Sequence, residues 1–503
     1  MDVKDNISLK QSRVVVIFSL ALFLVSCSLD KEKEYKTIEP ELLTTTVYEP
    51  VDRDLAQIKQ SGVLRMITSY SSGSYFLYRG IQVGFEYELV KEFAQKNDMA
   101  LEVIIPAEGE NPYDLLNSGA GDLIAANYTI TNEREELVNF TRPYNLVNQI
   151  IVLSEGLGVE PESISELSGI PITIRRNSSY FQELKKLQDE GFDIQINVVS
   201  EDMDTETLLF QVANGVYEAT VADDNIFYAS NKYMSGLIRG PIIAENDEIA
   251  WAVRKNSSDL TTKMNQFLYQ HFKYADNGVP KRSAFLNVLR KKYYEGSSQI
   301  ADYFSPEFQS NQYGLISPYD SLMQVVANEF DLDWVMLTAI AAQESRFDPR
   351  SESWAGAIGI MQVLPRFSDV PFDSLFVPEH NIREGARIIK AHLEHYAYMD
   401  STNQWQLALA TYNAGMGHLA DARRLSIDQN LNPNEWESVS ESLLKLMQRR
   451  YYQHARYGFC RGIETVRYVN EIMNRYGTYQ AILALNNSRP ANIQGVFGIK
   501  TLN

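Results

Sequence analysis

The sequence predicts an α/β part with two lobes, followed by a mainly α-helical part. Strand-like apolar runs alternate with helical periodicities in two successive sets, a pattern typical of mostly parallel sheets covered by helices. After about Tyr294 the pattern changes, and from Ser317 onward nearly every segment follows the helical period. With 503 residues and 45% hydrophobic content, the chain is long enough for about three compact units.

Each element of the front part is predicted from a local pattern. A helix should begin at Gly84, another should lie around Leu115, and a third should cover 181–187. Because the strands fall into two sets, we expect two lobes with a cleft between them. The predicted strands cover 63–68, 101–105, 122–126, 170–174, 194–199, 219–222 and 249–253.

In the rear part, Asp331 is predicted to cap a helix whose apolar face includes Leu332 and Val335. Glu344 lies four residues after Ile340 and borders that face. A carboxyl group among apolar neighbours has a raised pKa and can hold a proton near neutral pH, as glycosidic bond cleavage requires. Further helices are predicted over 385–397, 404–415, 437–449 and 462–476.

The N-terminus predicts secretion and lipid attachment. Residues 1–26 combine a polar, basic start with an apolar run over 14–25 that is too short to span a bilayer. The run ends in Leu24-Val25-Ser26-Cys27, which resembles the bacterial lipobox. That resemblance implies a diacylated Cys27 after cleavage, acyl anchoring at the periplasmic side of the outer membrane, and a tether over 27–50. The alternative is a plain secretory signal with an incidental cysteine.

The net charge argues against nucleic acid and anionic lipid as partners, and the cysteine content argues against an intramolecular disulfide. The formal net charge is −19, and removal of the signal segment would make it one unit more negative. Such an acidic chain is a poor candidate for binding nucleic acid or anionic lipid surfaces. Once Cys27 is lipidated only Cys460 remains, so no intramolecular disulfide is expected. We interpret Cys460 as a packing residue.

Four segments of the front part resemble the bacterial solute-binding proteins of family 3, which bind amino acids for importers. The resemblance implies a two-lobed periplasmic-binding-protein-like domain over 51–275, in which Arg134 pairs with the ligand carboxylate and Asp223 with its ammonium group. For Arg134 the alternative is a surface ion pair with Glu135 or Glu136. The segments are Gly62-Val63-Leu64-Arg65, Gly84-Phe85-Glu86-Tyr87-Glu88-Leu89, Tyr128-Thr129-Ile130-Thr131-Asn132-Glu133-Arg134 and Phe140-Thr141-Arg142-Pro143-Tyr144.

Three ordered motifs in the rear part resemble the lytic transglycosylase domain, which has a goose-lysozyme-like helical fold. The resemblance implies that 276–316 connect the two parts, that 317–503 form this lysozyme-like domain, and that its substrate is the glycan strand of peptidoglycan. The motifs are Gln343-Glu344-Ser345, Ser353-Trp354-Ala355-Gly356-Ala357-Ile358-Gly359-Ile360-Met361-Gln362 and Ala410-Thr411-Tyr412-Asn413-Ala414-Gly415.

By this resemblance Glu344 is the catalytic acid and then the base in a cleavage that yields a 1,6-anhydromuramic product. Ser353 and Gln362 would bind sugar groups or hold the loop over the site. Met361 would pack on a sugar face or in the core. The other implied substrate-binding residues are Tyr412, Asn413 and Tyr468. We interpret Asp348 and Glu352 as loop charges.

No cofactor and no metal are expected, since the six histidines show no metal-binding spacing. The expected function is an anchored peptidoglycan lytic transglycosylase whose front domain binds a muropeptide or amino acid and modulates activity. One alternative is a sensor lipoprotein whose rear domain holds glycan without cutting it. Another is a muramidase that uses water as the nucleophile.

Overall fold

The computed structural model describes residues 49–71, 73–107, 109–201, 203–232, 234–295 and 316–488. The predicted signal segment, Cys27 and nearly all of the predicted tether lie outside these residues, as does much of the segment predicted to connect the two parts. None of the helices in these described ranges is long and apolar enough to cross a membrane.

The described strands lie in the front part. Seven of them overlap the predicted runs, and six were not predicted. The strands are β1 Val63–Ile67, β2 Phe76–Tyr78, β3 Ile81–Val83, β4 Ala100–Ile104, β5 Leu123–Thr129, β6 Asn139–Phe140, β7 Asn145–Ser154, β8 Pro171–Arg175, β9 Gln195–Val199, β10 Ala219–Asp223, β11 Leu237–Val253, β12 Phe272–Tyr274 and β13 Pro280–Arg282.

Within the described residues, nine strands form one sheet in the order β4-β1-β5-β11-β7-β10-β8-β9, with β6 paired to β11. The pairings near both ends are parallel, as predicted: β1 pairs with β4 and β5, and β8 with β9 and β10. The middle differs from the prediction because β7 and β11 run antiparallel to each other and to their other neighbours. β7 was not predicted, and in the structure its second half is buried continuously.

Nine helices of the described front part surround this sheet. Gly84 precedes α2, as predicted, with a φ of 139°, and a Cβ atom there would lie 2.2 Å from the Ser74 carbonyl oxygen. The helices are α1 Leu55–Ser61, α2 Phe85–Lys96, α3 Pro112–Asn117, α4 Asn132–Leu137, α5 Ser179–Asp189, α6 Thr205–Ala213, α7 Asp224–Ser230, α8 Ser258–His271 and α9 Ala284–Arg290. A π-helical turn, Lys291–Glu295, follows α9.

The described rear part is helical, as predicted, although the helices over 320–330, 416–428 and 449–452 were not predicted as separate elements. Asp331 does not cap the helix that contains Glu344. It ends α10 with a left-handed backbone (φ 52°), and Asp333 instead accepts the Val335 N–H at 2.8 Å. The helices are α10 Asp320–Phe330, α11 Trp334–Ser345, α12 Pro378–His395, α13 Ser401–Ala414, α14 Met416–Asp428, α15 Trp436–Lys445, α16 Arg449–Tyr452 and α17 Gly462–Ser488.

The clusters of buried apolar side chains do not follow the predicted division into an α/β front part and a helical rear part. The first lobe and the helical part share one continuous cluster of buried side chains, whereas the second lobe has two clusters of its own. At the shared boundary α17 packs against β4, and the Tyr479 hydroxyl donates to the Gly80 carbonyl at 2.6 Å. The helix that borders Glu344 is therefore anchored directly on the first lobe.

Candidate active site

Glu344 lies in the last turn of α11, a helix rich in alanine and other apolar residues whose positions 335–342 are all buried. The chain leaves this helix through two successive left-handed residues, Arg346 (φ 55°) and Phe347 (φ 64°). Such conformations cost free energy in non-glycine residues and persist where the surrounding packing enforces them. Phe347 is buried, so this sharp corner fixes the position of the helix end and of Glu344.

Burial raises the pKa of Glu344 to about 7, although the residue remains partly accessible to solvent. Among the described residues, the hydrogen bond to its carboxyl comes from the Tyr468 hydroxyl, at 2.5 Å from Oε1. This bond favours the carboxylate and lowers the pKa, but burial has the larger effect. Within the part of the chain that the structure describes, no donor to Oε2 is present, and the carboxyl group can both donate and accept a proton near neutral pH.

Tyr412 connects Glu344 to the loop over 351–363. Its hydroxyl donates to the Met361 carbonyl at 2.7 Å. Burial and the nearby Glu344 carboxylate raise the pKa of Tyr412 well above its ordinary value, so it remains a neutral phenol. The Ser345 hydroxyl makes a second tie to the same loop, donating to the Ile360 carbonyl at 2.9 Å.

The predicted loop residues hold the loop together. The Ser353 hydroxyl accepts the Ala357 N–H at 2.9 Å, and the Gln362 amide donates to the Ser351 and Gly359 carbonyls at 3.1 and 3.0 Å. Met361 is fully buried, and its side chain lies against Gly385. Of the two roles considered for Met361, this placement favours core packing.

The remaining predicted residues lie around the site at different depths. Asn413 is exposed at the end of α13, and its Oδ1 accepts the Thr465 hydroxyl at 2.9 Å. Asp348 and Glu352 are both exposed, and the Asp348 carboxylate accepts the Arg350 N–H at 2.8 Å. In the described ranges, no group of three or more His, Cys, Asp or Glu side chains is arranged to hold a metal ion.

The predicted front-domain residues lie on the two sides of the lobe boundary. The Arg134 guanidinium donates to the Thr129 carbonyl at 2.8 Å and lies 4.8 Å from the centre of the Tyr128 ring. Its predicted alternative, an ion pair with Glu135 or Glu136, is not formed in the described structure. Asp223 ends β10, and its buried carboxyl accepts the Asn127 amide at 2.7 Å and interacts with the Tyr180 hydroxyl.

Two fully buried carboxyl groups of the front part have raised pKa values. Burial raises the pKa of Asp223 to about 7, with the nearby Asp247 and Asp224 adding to the effect. Burial also raises the pKa of Glu86 to about 7, although the Tyr144 hydroxyl and the Trp251 indole donate to its two oxygens. Asn127 joins the lobes, because its amide nitrogen donates to Asp223 and its oxygen accepts the Asn225 amide at 2.8 Å.

Two family models match this chain in the predicted order. Residues 67–274 match the bacterial extracellular solute-binding proteins of family 3, and residues 321–434 match the transglycosylase SLT domain. A membrane-bound lytic murein transglycosylase F from Desulfosudis oleivorans is 33% identical over 430 residues, covering 84% of this chain and 91% of the relative. The chain belongs to the membrane-bound lytic murein transglycosylase F family.

A second member of this family, from Aeromonas hydrophila subsp. hydrophila, is 32% identical over 440 residues, covering 86% of this chain and 85% of the relative. Among solved structures, an ancestral arginine-binding protein bound to arginine matches at 23% identity and a TM-score of 0.38. That match covers 46% of this chain and 98% of the other. The family assignment therefore comes from the full-length relatives.

Several positioning residues of this transglycosylase family member were not predicted. The buried Asn381 of α12 holds the loop, accepting the Met361 N–H at 2.7 Å and donating to the Ile358 and Leu375 carbonyls. Glu471 and Arg475 of α17 both hydrogen-bond the Gln343 amide group. The only sequence signal for these residues was their place in amphipathic helices, which gives no indication of their partners.

Proposed function

We propose that this chain is a peptidoglycan lytic transglycosylase in which Glu344 acts as acid and then as base. The observation that carries this proposal is the Glu344 carboxyl itself, which is partly accessible to solvent, accepts the Tyr468 hydroxyl and has a pKa raised to about 7 by burial. Membership in the family supplies the reaction class, since the curated relatives are named as murein transglycosylases.

The reaction requires two proton transfers at one carboxyl group. Protonated Glu344 first donates to the glycosidic oxygen between N-acetylmuramic acid and N-acetylglucosamine as the bond from C1 breaks. The resulting carboxylate then takes the proton from the muramic C6 hydroxyl while that oxygen bonds to C1. The 1,6-anhydro product forms without water, and Glu344 regains its proton.

A second catalytic carboxylate is not required if the N-acetyl group of the substrate stabilises C1. The surroundings of Glu344 support this scheme. Asp348 and Glu352, the acids next along the chain, are exposed, and neither contributes to the pKa of Glu344. Tyr412 and Tyr468 are neutral phenols beside the carboxyl and can bind polar groups of the sugar.

The product identifies the reaction. Purified peptidoglycan is digested with the detergent-solubilised full chain and with its Glu344→Gln variant, and the fragments are analysed by mass spectrometry. We expect anhydromuropeptides from the wild type and none from the variant. Reducing muramic ends would indicate a hydrolase instead, and the absence of any product would favour a glycan-binding sensor.

We also propose that the front domain binds a small ligand with a carboxylate and an ammonium group, such as an amino acid or a muropeptide, and that binding modulates cleavage. Arg134 would receive the carboxylate and Asp223 the ammonium group. The burial of Asp223 supports this role, because a carboxylate taken out of water is costly unless a cation pairs with it.

Calorimetric titration with free amino acids and purified muropeptides tests the ligand. Arg134→Gln and Asp223→Asn should each weaken binding by about tenfold or more, whereas Arg239→Gln, at an exposed position of β11, should not. Modulation requires that the rate of glycan cleavage changes when the ligand is added. Equal binding by all variants would exclude this cleft as the ligand site.

Finally, we propose that the protein is lipidated at Cys27 and faces the periplasm from the outer membrane. The lipobox resemblance supports lipidation, and the relatives are named as membrane-bound. Cell fractionation tests the anchor. The wild type should follow the outer membrane, and Cys27→Ser should not be acylated. A variant that still incorporated labelled fatty acid would contradict this assignment.

A further inference from the structure

Trp354 is placed where it cannot contribute to the core. Its side chain is 97% exposed, the highest exposure among the large hydrophobic residues in the described ranges. A tryptophan can bury roughly 150–250 Å² on contact with a partner. Here nearly all of that surface faces water, so folding gains almost nothing from the indole.

The backbone beneath this indole is firmly held. The Ser353 N–H donates to the Ala357 carbonyl at 2.9 Å, and the Gly356 N–H donates to the Ser353 carbonyl at 2.9 Å. The Ser353 hydroxyl closes the same turn by accepting the Ala357 N–H. Trp354 therefore lies at the tip of a closed turn, and little backbone freedom would be lost when a ligand binds.

The same loop is hydrogen-bonded to residues next to Glu344. Ile360 and Met361 accept hydrogen bonds from Ser345 and Tyr412, while Trp354 lies six residues earlier in the chain. Six residues span at most about 20 Å when extended, which corresponds to a few sugar units. A glycan held at Glu344 can thus extend to this indole.

We propose that Trp354 is a glycan-binding platform, stacking on the apolar C–H face of a sugar ring a few units away from the bond that Glu344 cleaves. A rigid aromatic side chain provides a large contact area at low entropic cost. Small neighbours, Ala355 and Gly356, leave the indole uncovered. The inference rests on the proposed glycan substrate, and it assigns Trp354 to substrate affinity and not to the chemical step.

Binding without turnover tests the platform directly. In the Glu344→Gln background, affinity is measured for glycan strands from which an amidase has removed the peptides. Trp354→Ala should weaken binding by about fivefold, whereas Trp354→Phe should recover much of it. Tyr269→Ala removes an exposed ring (52% exposed) from α8 of the front domain and should change nothing.

Kinetics with intact Glu344 provide a second measurement. Trp354→Ala should raise KM with kcat unchanged, because the contact is equally strong before and during bond cleavage. The melting temperature should not change, since the indole makes no core contact. An unchanged affinity for stripped strands, an effect seen only when peptides are present, or a lower kcat at constant KM would each overturn the proposal. If the wild type released no anhydromuropeptides, the proposed cleavage would be wrong, but the affinity of the Glu344→Gln protein for stripped strands would still test Trp354.

Discussion

Glu344 in the rear domain and Glu86 in the front domain both have pKa values raised to about 7 by burial, yet their surroundings differ. Glu86 is fully buried, and both of its oxygens accept hydrogen bonds, from Tyr144 and Trp251. Glu344 is partly accessible and accepts one, from Tyr468. A raised pKa alone therefore does not identify a catalytic acid. Access to the carboxyl and an oxygen without a protein donor are also needed.

Neutralising each carboxyl group gives the sharpest test of this comparison. Glu344→Gln should lower the cleavage rate by about 10³-fold or more, since both proton transfers are lost, with the fold retained. Glu86→Gln resembles the protonated acid and should leave the cleavage rate within about twofold of wild type. Release of anhydromuropeptides over time measures both rates. A comparable loss of activity in Glu86→Gln would show that access does not separate the two residues.

The pH dependence of stability should follow the buried acids of the front domain. Because Glu86 and Asp223 have raised pKa values in the folded state, that state binds more protons than the unfolded chain between about pH 4 and pH 7. The free energy of unfolding should therefore fall as pH rises through this range, by on the order of 3 kcal/mol for Glu86.

Denaturant unfolding at pH 5, 6.5 and 8 measures this slope. Glu86→Gln should flatten it, because the amide cannot ionise, and Asp223→Asn should do so independently. Because its pKa is also raised, Glu344 likewise makes the free energy of unfolding fall as the pH rises. A wild-type protein that became more stable between pH 5 and pH 8 would contradict the protonated state assigned to these groups.

Removal of the single donor to Glu344 should have a smaller effect. Tyr468→Phe deletes the hydrogen bond that lowers the pKa of Glu344, so the alkaline limb of the pH–rate profile should move to higher pH. The rate should fall by about tenfold as one positioning contact is lost. Tyr412→Phe is the matched control, since its hydroxyl bonds the Met361 carbonyl. If the alkaline limb of the pH–rate profile moved equally in both variants, the hydrogen bond from Tyr468 would not be what lowers the pKa of Glu344.

The smallest expected effect concerns the bridge between the lobes. Asn127 has a left-handed backbone (φ 54°), so Asn127→Gly keeps the conformation and removes only the amide. Loss of its two cross-lobe hydrogen bonds should cost about 1–2 kcal/mol of stability and accelerate hydrogen exchange in β10 and α7. Asn246→Gly, at an exposed residue with φ 60°, is the control. Unchanged exchange in β10 would show that Asn127 does not hold the lobes together.

The sequence patterns alone predict the division into an α/β part and a helical part, seven of the thirteen described strands, and Glu344 as the acid to consider. These features depend on local periodicity and on residue order within short motifs, both of which can be read along the chain. Five of the six strands that were not predicted have only two or three residues, too few to show a period. The cap was wrongly assigned to Asp331 because the local sequence does not distinguish it from Asp333.

The contacts between side chains that are distant in the chain are seen only in the tertiary structure. The hydrogen bond from Tyr468 to Glu344 spans 124 positions, the one from Gln343 to Glu471 spans 128, and the one from Asn127 to Asp223 spans 96. Burial, which sets the pKa values of Glu344 and Glu86, likewise depends on elements that are distant in the chain. Packing brings these groups together at fixed distances, and a pattern that is local in sequence carries no information about such distances.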